Sequence, residues 1–381
     1  MSTMHVPTEL EALSELEIST AEELAGRFPL TLNENPASQA DYEQVMSELT
    51  FGNKFTDHMA HMRWTKEEGW SERGIIPYGP LALTPGAAVL HYSQSVFEGI
   101  KAYRHADGSI WTFRPAYNAA RLNHSALRLA LPKVDRDDFL ASLVDYVRAD
   151  EKWVPTGDGT SLYLRPLLFA SEEFLGVHAS SVVDYYVIGS PSGPYFTSGF
   201  TGVAIWVVKD YHRAGPGGTG SAKCGGNYAA SLMPQLQAAE KGFSQVCFLD
   251  TYEEKYLEEL GGMNMFVVMA DGTVRTPELT GVILEGGTRS AICKMLRSQG
   301  TPVREEMIAL DELVAGIRSG EVAEVFACGT AAVVTPITRL ANDDFDVELP
   351  VGETTKRIHK QLTDIQMGYA QDPFGWMYRL V

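Results

Sequence analysis

Cysteine is scarce in this chain of 381 residues, and the few cysteines stand far apart. They are Cys224, Cys247, Cys293 and Cys328. Neighbouring cysteines are at least 23 positions apart, so the sequence has neither a CxxC motif nor closely spaced metal ligands. Scattered cysteines are typical of a protein kept in a reducing compartment. We therefore predict a cytoplasmic protein with no disulfide framework and no metal site.

Long apolar runs and an excess of basic charge are also absent. No apolar stretch reaches the roughly 18 residues expected of a membrane-spanning helix. The first residues, MSTMHVPTEL, lack the basic start and apolar run of a secretory signal. The chain carries 31 basic and 49 acidic side chains, a net charge of −18. Because an acidic surface repels phosphate backbones and anionic membranes, neither nucleic acid nor a membrane is expected as a partner.

The acidic charge is concentrated in the first part of the chain. Residues 1–50 contain ten acidic side chains and a single basic one, Arg27. Short helical patterns such as TELEALSELEIS occur there, but charge runs of this kind are usually solvated. We predict that residues 1–45 form a solvated or peripheral segment that precedes the folded domains.

From Phe51 onward, helix and strand patterns are mixed. The run IKAYRHADGSIWTFRP predicts a β-hairpin, and DRDDFLASLVDYVRADEKWV has the apolar spacing of a helix. Neither half shows a regular βαβ alternation, which favours an α+β fold over a doubly wound sheet. The polar, glycine-containing segment PYFTSGFTG (194–202) predicts a linker. It would join a smaller N-terminal domain (46–193) to a larger C-terminal domain (203–381).

The glycine-rich segment RAGPGGTGSAKCGGNY (213–228) admits several hypotheses. Gly215, Gly217 and Gly220 match GxGxxG, but a dinucleotide site needs a strand directly before and a helix directly after this motif. A phosphate-binding P-loop needs Gly-Lys-Ser/Thr, an order that Lys223 does not provide. The six glycines around Lys223 would let the backbone approach a flat ring, as an imine-forming lysine requires. An exposed loop with an ordinary surface lysine is the fourth hypothesis.

From about Phe51 to Met377, the sequence resembles the branched-chain amino-acid aminotransferases, pyridoxal-phosphate enzymes of fold type IV. Many separate blocks in the same order make the resemblance specific. The blocks are FTDHM (55–59), HYSQSVFEGIKAYR (91–104), FRPAYNAARL (113–122), LYLRP (162–166), GGTGSAKCGGNYA (217–229), EELGGMNMF (258–266), GGTR (286–289) and EVFACGTAAVVTPI (324–337). The resemblance implies a two-domain α+β homodimer that uses pyridoxal 5'-phosphate. Its expected activity is transfer of the amino group of L-leucine, L-isoleucine or L-valine to 2-oxoglutarate, which forms glutamate.

The resemblance also assigns roles around the cofactor. Lys223 would carry the cofactor as a Schiff base and shuttle the proton of the substrate α-carbon. Glu259 would face the pyridine nitrogen, and Glu258, on the opposite face of the same strand, is expected to be solvated. Tyr228 would hydrogen-bond the ring hydroxyl oxygen. The residues implied for the phosphate are Arg121, Gly287, Thr288 and Thr330, with Arg213 behind them.

The substrate is expected to lie among aromatic side chains. By resemblance these are Phe51, Tyr92, Phe97, Tyr163 and Tyr195, with Val177 reaching in from a partner subunit. Tyr163 and Arg165 lie two apart on a predicted strand and so share a face. This pairing suggests that Arg165 meets the γ-carboxylate of glutamate. The resemblance implies that the backbone of Ala331 and Ala332, with the Tyr92 hydroxyl, binds the α-carboxylate.

The sequence departs from the family at several positions. Gly262 stands where some members have threonine, and Glu285 replaces the usual proline, which puts the geometry of its loop in doubt. Ala332 and Thr335 do not form the redox CxxC of some animal members. Other type IV enzymes, a D-amino-acid transaminase or an aminodeoxychorismate lyase, remain alternatives. So do a dinucleotide-dependent oxidoreductase and a catalytically silent protein that binds a phosphate ligand.

Overall fold

The structure is a computed structural model that describes residues 6–194 and 200–381. The chain divides into two compact units, the first made of Met1–Tyr195 with Asp364–Val381 and the second of Phe196–Thr363. The predicted linker, residues 194–202, lies partly outside the described residues. Each unit is built around its own sheet.

The described residues form short helices in both units. The helices are α1 Glu9–Ser14, α2 Ala21–Leu24, α3 Gln39–Ser47, α4 Ala88–Tyr92, α5 Pro115–Arg128, α6 Arg136–Ala149, α7 Gly225–Ala229, α8 Leu232–Glu240, α9 Gly287–Ser298, α10 Leu310–Ser319 and α11 Glu353–Gln366. Local sequence explains their limits. The Asp135 side chain accepts hydrogen bonds from the first backbone N–H groups of α6, and Gly320 ends α10 in the left-handed conformation.

The strands follow the alternating and apolar runs of the sequence. They are β1 His58–Thr65, β2 Gly69–Pro77, β3 Ser95–Phe97, β4 Ile100–Arg104, β5 Ile110–Phe113, β6 Ser161–Ala170, β7 Val182–Ser192, β8 Val203–Val207, β9 Gln245–Leu249, β10 Leu257–Leu260, β11 Asn264–Met269, β12 Val274–Pro277, β13 Val303–Glu306, β14 Val322–Gly329, β15 Val333–Ala341, β16 Asp346–Glu348 and β17 Met377–Arg379. The predicted hairpin is present as β4 and β5.

The first sheet has the order β17-β5-β4-β6-β7-β1-β2, with β3 paired to β6. Its described pairings are antiparallel, and the longest joins β6 to β7. The second sheet has the order β10-β9-β8-β15-β14-β11-β12-β13, with β16 paired to β15. It is mixed, because β8 runs parallel to both β9 and β15. An antiparallel sheet and a mixed sheet, both without regular crossover helices, confirm the predicted α+β class.

The acidic N-terminal segment is not a solvated extension. Helix α1 packs on α5 and α2 packs on α6, which buries Leu10, Leu24 and Phe28. The Asp145 carboxylate accepts hydrogen bonds from the backbone N–H groups of Gly26 (2.8 Å) and Phe28 (2.9 Å). Several acidic side chains serve as helix caps, as in the capping boxes that begin α1 and α2. Of the two predicted alternatives, a solvated extension is wrong, because apolar side chains between the charges attach the segment to the first unit, whereas a peripheral position agrees with the exposure of most of its described residues.

The last residues of the chain also belong to the first unit. The predicted C-terminal domain ran to residue 381, whereas β17 adds an edge strand to the first sheet by pairing with β5. The backbone N–H of Arg114 donates to the Trp376 carbonyl oxygen (2.7 Å) just before this strand. Edge pairing between residues more than 250 positions apart leaves no local trace in the sequence.

The second unit is organised by a buried apolar layer. Strand side chains such as Ile205, Val267 and Val325 pack with Leu313 of α10 in one cluster. Asn264, at the start of β11, pairs with Cys328 of β14. This packing holds the ends of β10, β11 and β14 in place, where several of the predicted site residues lie.

Candidate active site

The glycine-rich loop before α7 holds the predicted catalytic lysine. The Asn227 side chain donates hydrogen bonds to the carbonyl oxygens of Thr219 (2.7 Å) and Ala222 (2.8 Å), which ties the loop to the helix. A Cβ on Gly220 would lie 2.1 Å from the carbonyl oxygen of Val282, so this close backbone approach requires glycine. The Lys223 Nζ donates to the Tyr228 hydroxyl at 2.6 Å. The lysine is therefore a half-buried amine in a pinned loop, not an ordinary surface lysine.

The same geometry disfavours a dinucleotide site. Strand β8 ends at Val207, and Gly215 follows only after an intervening segment. Helix α7 begins at Gly225, beyond the third glycine of the motif. A pyrophosphate-binding turn requires a strand, the glycines and a helix in direct succession.

Glu259 lies on β10 and is only 2% exposed. Its Oε1 is 2.8 Å from Arg213 Nη1 and accepts a hydrogen bond from the Leu284 backbone N–H at 2.6 Å. Burial raises the pKa of Glu259 above its ordinary value, while Arg213, the Leu284 N–H and the charge of Lys223 oppose that rise. The result is a deeply buried carboxylate that is supported by a cation and a backbone donor.

Arg213, predicted to lie behind the phosphate-binding residues, contacts Glu259. Its Nη1 also donates to the carbonyl oxygens of Gly220 and Val282, each at 3.2 Å. Its Nε is buried and has no hydrogen-bond partner among the described residues. The sequence indicated an arginine near the cofactor but gave no signal for its pairing with Glu259, since the two residues are far apart in the chain.

Glu258 differs from the expectation of a solvated side chain. It is only 6% exposed, because both faces of β10 are covered. Burial, with the nearby charges of Glu259 and Asp250, raises the pKa of Glu258 to about 7, against the opposing effect of Arg213. The alternation argument assumed a regular strand with one face in water, whereas all four residues of β10 are buried and its pairing with β9 is irregular between Leu257 and Leu260.

The loop that leads into α9 is fixed from two sides. Glu259 accepts from the Leu284 N–H, and the Asn264 side chain donates to the Leu284 carbonyl oxygen at 2.9 Å. Glu285 follows this anchor, so the loop is held without the usual proline. Helix α9 begins at Gly287 with no side-chain cap, and Thr288 is buried in its first turn. The dipole and backbone N–H groups of a helix N-terminus favour an anion, which is consistent with the predicted phosphate role of Gly287 and Thr288.

The turn between β14 and β15 contains Thr330, Ala331 and Ala332. Ala332 is buried, and Thr330 and Ala331 are half-buried. The next residue, Val333, has φ +57°, a left-handed conformation that a β-branched residue rarely adopts. Such local strain is often found where a backbone must present its polar groups to a ligand. Nothing in the sequence signalled this strain.

Gly262, where some family members have threonine, lies close to Tyr228. A Cβ at Gly262 would be 3.6 Å from Tyr228 Cε1, an ordinary van der Waals distance. The glycine therefore leaves space beside the tyrosine that holds Lys223. The departure changes the packing against Tyr228 but not the hydrogen bond between Tyr228 and Lys223.

In the first unit, four of the predicted substrate residues are in contact. Arg165 Nη2 donates to the Tyr163 hydroxyl at 3.2 Å, and its guanidinium carbon lies 4.7 Å from the centre of the Phe97 ring. The ring centroids of Phe51 and Tyr163 are 4.9 Å apart, edge to face. Arg165 Nε is buried without a hydrogen-bond partner among the described residues. An aromatic-lined guanidinium with a spare donor can bind a carboxylate.

Arg121 has a partner that sequence reasoning missed. Its Nε and Nη2 form two parallel bonds with the Glu98 carboxylate, at 2.8 and 2.7 Å, and Asn118 donates to the same carboxylate at 2.8 Å. Arg121 and Glu98 are both buried. The pair orients the guanidinium, but it also neutralises much of its charge. In the sequence, the only indication of this pair was the position of Glu98 between an aromatic residue and a glycine in SVFEGI.

The remaining predicted substrate residues lie elsewhere in the first unit or outside the described part of the chain. The Tyr92 hydroxyl donates to the carbonyl oxygen of Leu175, and its ring stacks near Phe174. Val177 lies two residues beyond Leu175 and is 86% exposed. Tyr195 lies outside the described residues. The roles predicted for Tyr92, Val177 and Tyr195 stay predictions.

Residues 6–194 and 200–381 show no group of three or more His, Cys, Asp or Glu side chains arranged to hold a metal ion. The described cysteines are free and buried. Within the same residues, none of the helices has both the length and the apolar character needed to cross a membrane.

The fold and the site together indicate one class of enzyme. The site combines a lysine held by a tyrosine with a buried arginine–glutamate pair, and comparison with known protein families identifies the class. The family model for amino-transferase class IV matches residues 95–340, more than half of the chain. The chain belongs to this family.

Similar proteins within this family share one name, branched-chain-amino-acid aminotransferase. The branched-chain-amino-acid aminotransferase of Mycolicibacterium smegmatis is 48% identical over 360 residues, which cover 93% of this chain and 98% of the relative. The Mycobacterium tuberculosis enzyme of the same name is 47% identical, covering 91% of this chain and 96% of the relative. Branched-chain-amino-acid aminotransferase 2 of Bacillus subtilis is 45% identical, with coverages of 87% and 92%.

Solved structures show the same fold. The branched-chain amino-acid aminotransferase of Escherichia coli aligns with a TM-score of 0.69 and 29% identity, covering 84% of this chain and all of that chain. The enzyme of the archaeon Thermoproteus uzoniensis, solved with norvaline, aligns with a TM-score of 0.69 and 26% identity, covering 84% and 100%. The T.th. enzyme, solved with N-(5'-phosphopyridoxyl)-L-glutamate, aligns with a TM-score of 0.68 and 26% identity, covering 84% and 99%. These neighbours confirm the resemblance found in the sequence.

Proposed function

We propose that the chain is a branched-chain amino-acid transaminase that uses pyridoxal 5'-phosphate to move the amino group of L-leucine, L-isoleucine or L-valine to 2-oxoglutarate. The observation that carries the proposal is the arrangement of Lys223 on Tyr228 beside the buried pair of Glu259 and Arg213. The names of the curated relatives supply the substrate class.

The second unit offers the groups that this cofactor needs. When bound, pyridoxal phosphate supplies a protonated ring that accepts electrons from the substrate α-carbon. A carboxylate as deeply buried as Glu259 is costly unless it meets a cationic or hydrogen-bonding group. Arg213 favours its ionised form, so Glu259 is suited to hold a proton on a ring nitrogen. The uncapped N-terminus of α9, with Thr330, is suited to the phosphate.

Lys223 would perform the proton transfers. Its amine donates a hydrogen bond to the Tyr228 hydroxyl, and this contact orients Nζ. We propose that Nζ would hold the cofactor between reactions. It would take the proton from the α-carbon of the amino donor, release it within the site, and in the second half-reaction supply a proton to the α-carbon of the oxo-acid acceptor. The pinned glycine-rich loop keeps the amine in place while its bonding changes.

The first unit would select the substrate. Arg165, with the Tyr163 hydroxyl, is suited to the γ-carboxylate of glutamate, and the rings of Phe51 and Phe97 suit a branched aliphatic side chain. Arg121 would meet the phosphate with its orientation fixed by Glu98. Homodimer formation, a contribution of Val177 to the partner's site, and a cytoplasmic location are parts of the same proposal.

Steady-state kinetics with purified holoenzyme test the proposal. With 2-oxoglutarate as acceptor, we expect kcat/KM for L-leucine to exceed that for D-alanine by at least about a hundredfold, on the order of 2.7 kcal/mol. Lys223→Ala is the control and should remove both activities, which excludes a contaminating transaminase. Comparable rates with D-alanine would instead indicate a D-amino-acid transaminase, one of the alternatives within the fold.

A further inference from the structure

A second recess lies within the second unit, and its walls include Glu258 but not Glu259. It has a volume of about 260 Å³. Strand β10 contributes Leu257 and Glu258, and the loop before α9 contributes Val282 and Ile283. The residues assigned to amino transfer do not line it. Amino transfer therefore does not explain this recess, and any function has to be inferred from its own lining residues.

Glu258 is the side chain that makes this recess unusual. It is more than nine-tenths buried, and it has no hydrogen-bond or ion-pair partner among residues 6–194 and 200–381. Its neighbour Glu259 has both kinds of partner. An unpaired buried carboxylate is costly, and a cation in the recess would remove that cost.

The chemistry of the walls argues against a metal ion as the occupant. No set of three or more metal-ligating side chains is arranged for a metal within the described residues. Asp250, the other acidic residue near Glu258, accepts backbone hydrogen bonds from Tyr252, Glu253, Lys255 and Tyr256 at 2.7–3.2 Å. Its oxygens already have donors, and Glu253 and Glu278 are exposed, so Glu258 is the one buried carboxylate of the described lining without donors of its own.

An organic cation fits the same walls. Leu257, Val282 and Ile283 are buried apolar side chains, and Met307 adds a half-exposed one near the entrance. Glu253 and Glu278 at the rim are exposed and acidic, so they would attract a cation towards the recess. The volume exceeds that of a single ion and suits a cationic head on a short aliphatic stem.

We propose that this recess binds a small organic cation, with an ammonium or guanidinium head paired to Glu258 and a short aliphatic body against Leu257, Val282 and Ile283. Glu258 is the anchor because it is the buried group without another partner. Burial and the nearby charges of Glu259 and Asp250 raise the pKa of Glu258 despite the opposing charge of Arg213, as expected of a carboxyl group with no ion-pair partner among the described residues. The site is separate from amino transfer and does not depend on the proposed function.

Calorimetric titration of the holoenzyme with n-butylguanidinium tests the proposal, with n-butylurea as a neutral probe of the same shape. A guanidinium does not condense with the cofactor as a primary amine would. We expect saturable binding of n-butylguanidinium at least about tenfold tighter than that of n-butylurea, since a paired, bidentate charge is lost in the urea. Absence of saturable binding, or equal affinity for the two probes, would overturn the proposal.

Variants locate the site. Glu258→Gln keeps the shape and removes the charge, and it should weaken n-butylguanidinium binding at least about tenfold. Glu253→Gln, at the exposed rim, is the matched control and should weaken binding less than about threefold. Thr280→Trp, at an exposed position of the lining, should also weaken binding by filling the entrance, and it tests the site should Glu258→Gln fold poorly. Undiminished binding in Glu258→Gln or in Thr280→Trp would place the cation elsewhere and refute the assignment.

Discussion

The adjacent glutamates of strand β10, Glu258 and Glu259, have opposite surroundings. Both side chains are buried, Glu258 at 6% exposure and Glu259 at 2%. Glu259 meets Arg213 and the Leu284 N–H, whereas Glu258 faces an open recess without a partner among the described residues. Burial therefore does not distinguish the carboxylate proposed for the cofactor from its neighbour. The distinction lies in which charges and donors the rest of the fold brings to each side chain.

This comparison predicts a large difference in activity between matched variants. Glu259→Gln should lower kcat/KM for L-leucine about a thousandfold, roughly 4 kcal/mol, because a neutral amide does not hold a proton on the ring nitrogen. Glu258→Gln should change it less than about threefold. Steady-state assays on both variants, with cofactor content measured by absorbance, provide the comparison. Equal losses in the two variants would mean that the two glutamates share one function.

Removal of Arg213 should make the surroundings of Glu259 resemble those of Glu258. Arg213→Met leaves a buried carboxylate without its cation, and we expect a loss of stability of about 3 kcal/mol at pH 8. Thermal unfolding of holoenzyme measures this loss. Arg213→Lys is the control, since it retains the charge and should recover part of the loss. An unchanged melting temperature in Arg213→Met would show that the ion pair does not stabilise the second unit.

The smallest expected effect is a change in the free energy of unfolding with pH, caused by the titration of Glu258. Its folded pKa of about 7 lies above its ordinary value of 4.5, so the folded state holds this proton more tightly than the unfolded state. The protonated Glu258 side chain therefore makes its full contribution to the free energy of unfolding below about pH 4.5, and this contribution is lost as the pH rises through 7. Glu258→Gln should be similar to the wild type at pH 5 and more stable by on the order of 2 kcal/mol at pH 8. The melting temperatures of Glu258→Gln and of the wild type would be compared at both pH values. If their difference is the same at pH 5 and pH 8, Glu258 is not an unpaired carboxyl group with a raised pKa.

Much of the fold followed from local patterns. The apolar run SLYLRPLLFA corresponds to β6, and the Asp107-Gly108 turn joins β4 to β5 as expected. These features depend on residues that are close in sequence, where side-chain period and turn chemistry act directly. The shared face of Tyr163 and Arg165 was predictable for the same reason, and their contact is present.

The features that sequence reasoning missed arise from long-range packing. The pairing of β17 with β5, the attachment of α1 and α2, and the burial of Glu258 all depend on which distant surface covers a segment. The pairing of Arg121 with Glu98 joins two motifs whose contact no spacing rule supplies. The density of charge near the N-terminus suggested exposure to solvent. A few apolar residues at helical spacing nevertheless pack α1 and α2 against the first unit.

The most direct test of the central claim is to find which amine holds the cofactor. The native holoenzyme would be reduced with borohydride, digested and analysed by mass spectrometry. We expect the phosphopyridoxyl mass on the peptide that contains Lys223, together with loss of visible absorbance and of activity. A label on another amine, such as the buried Lys101, or no label on cofactor-saturated protein, would contradict the role of Lys223.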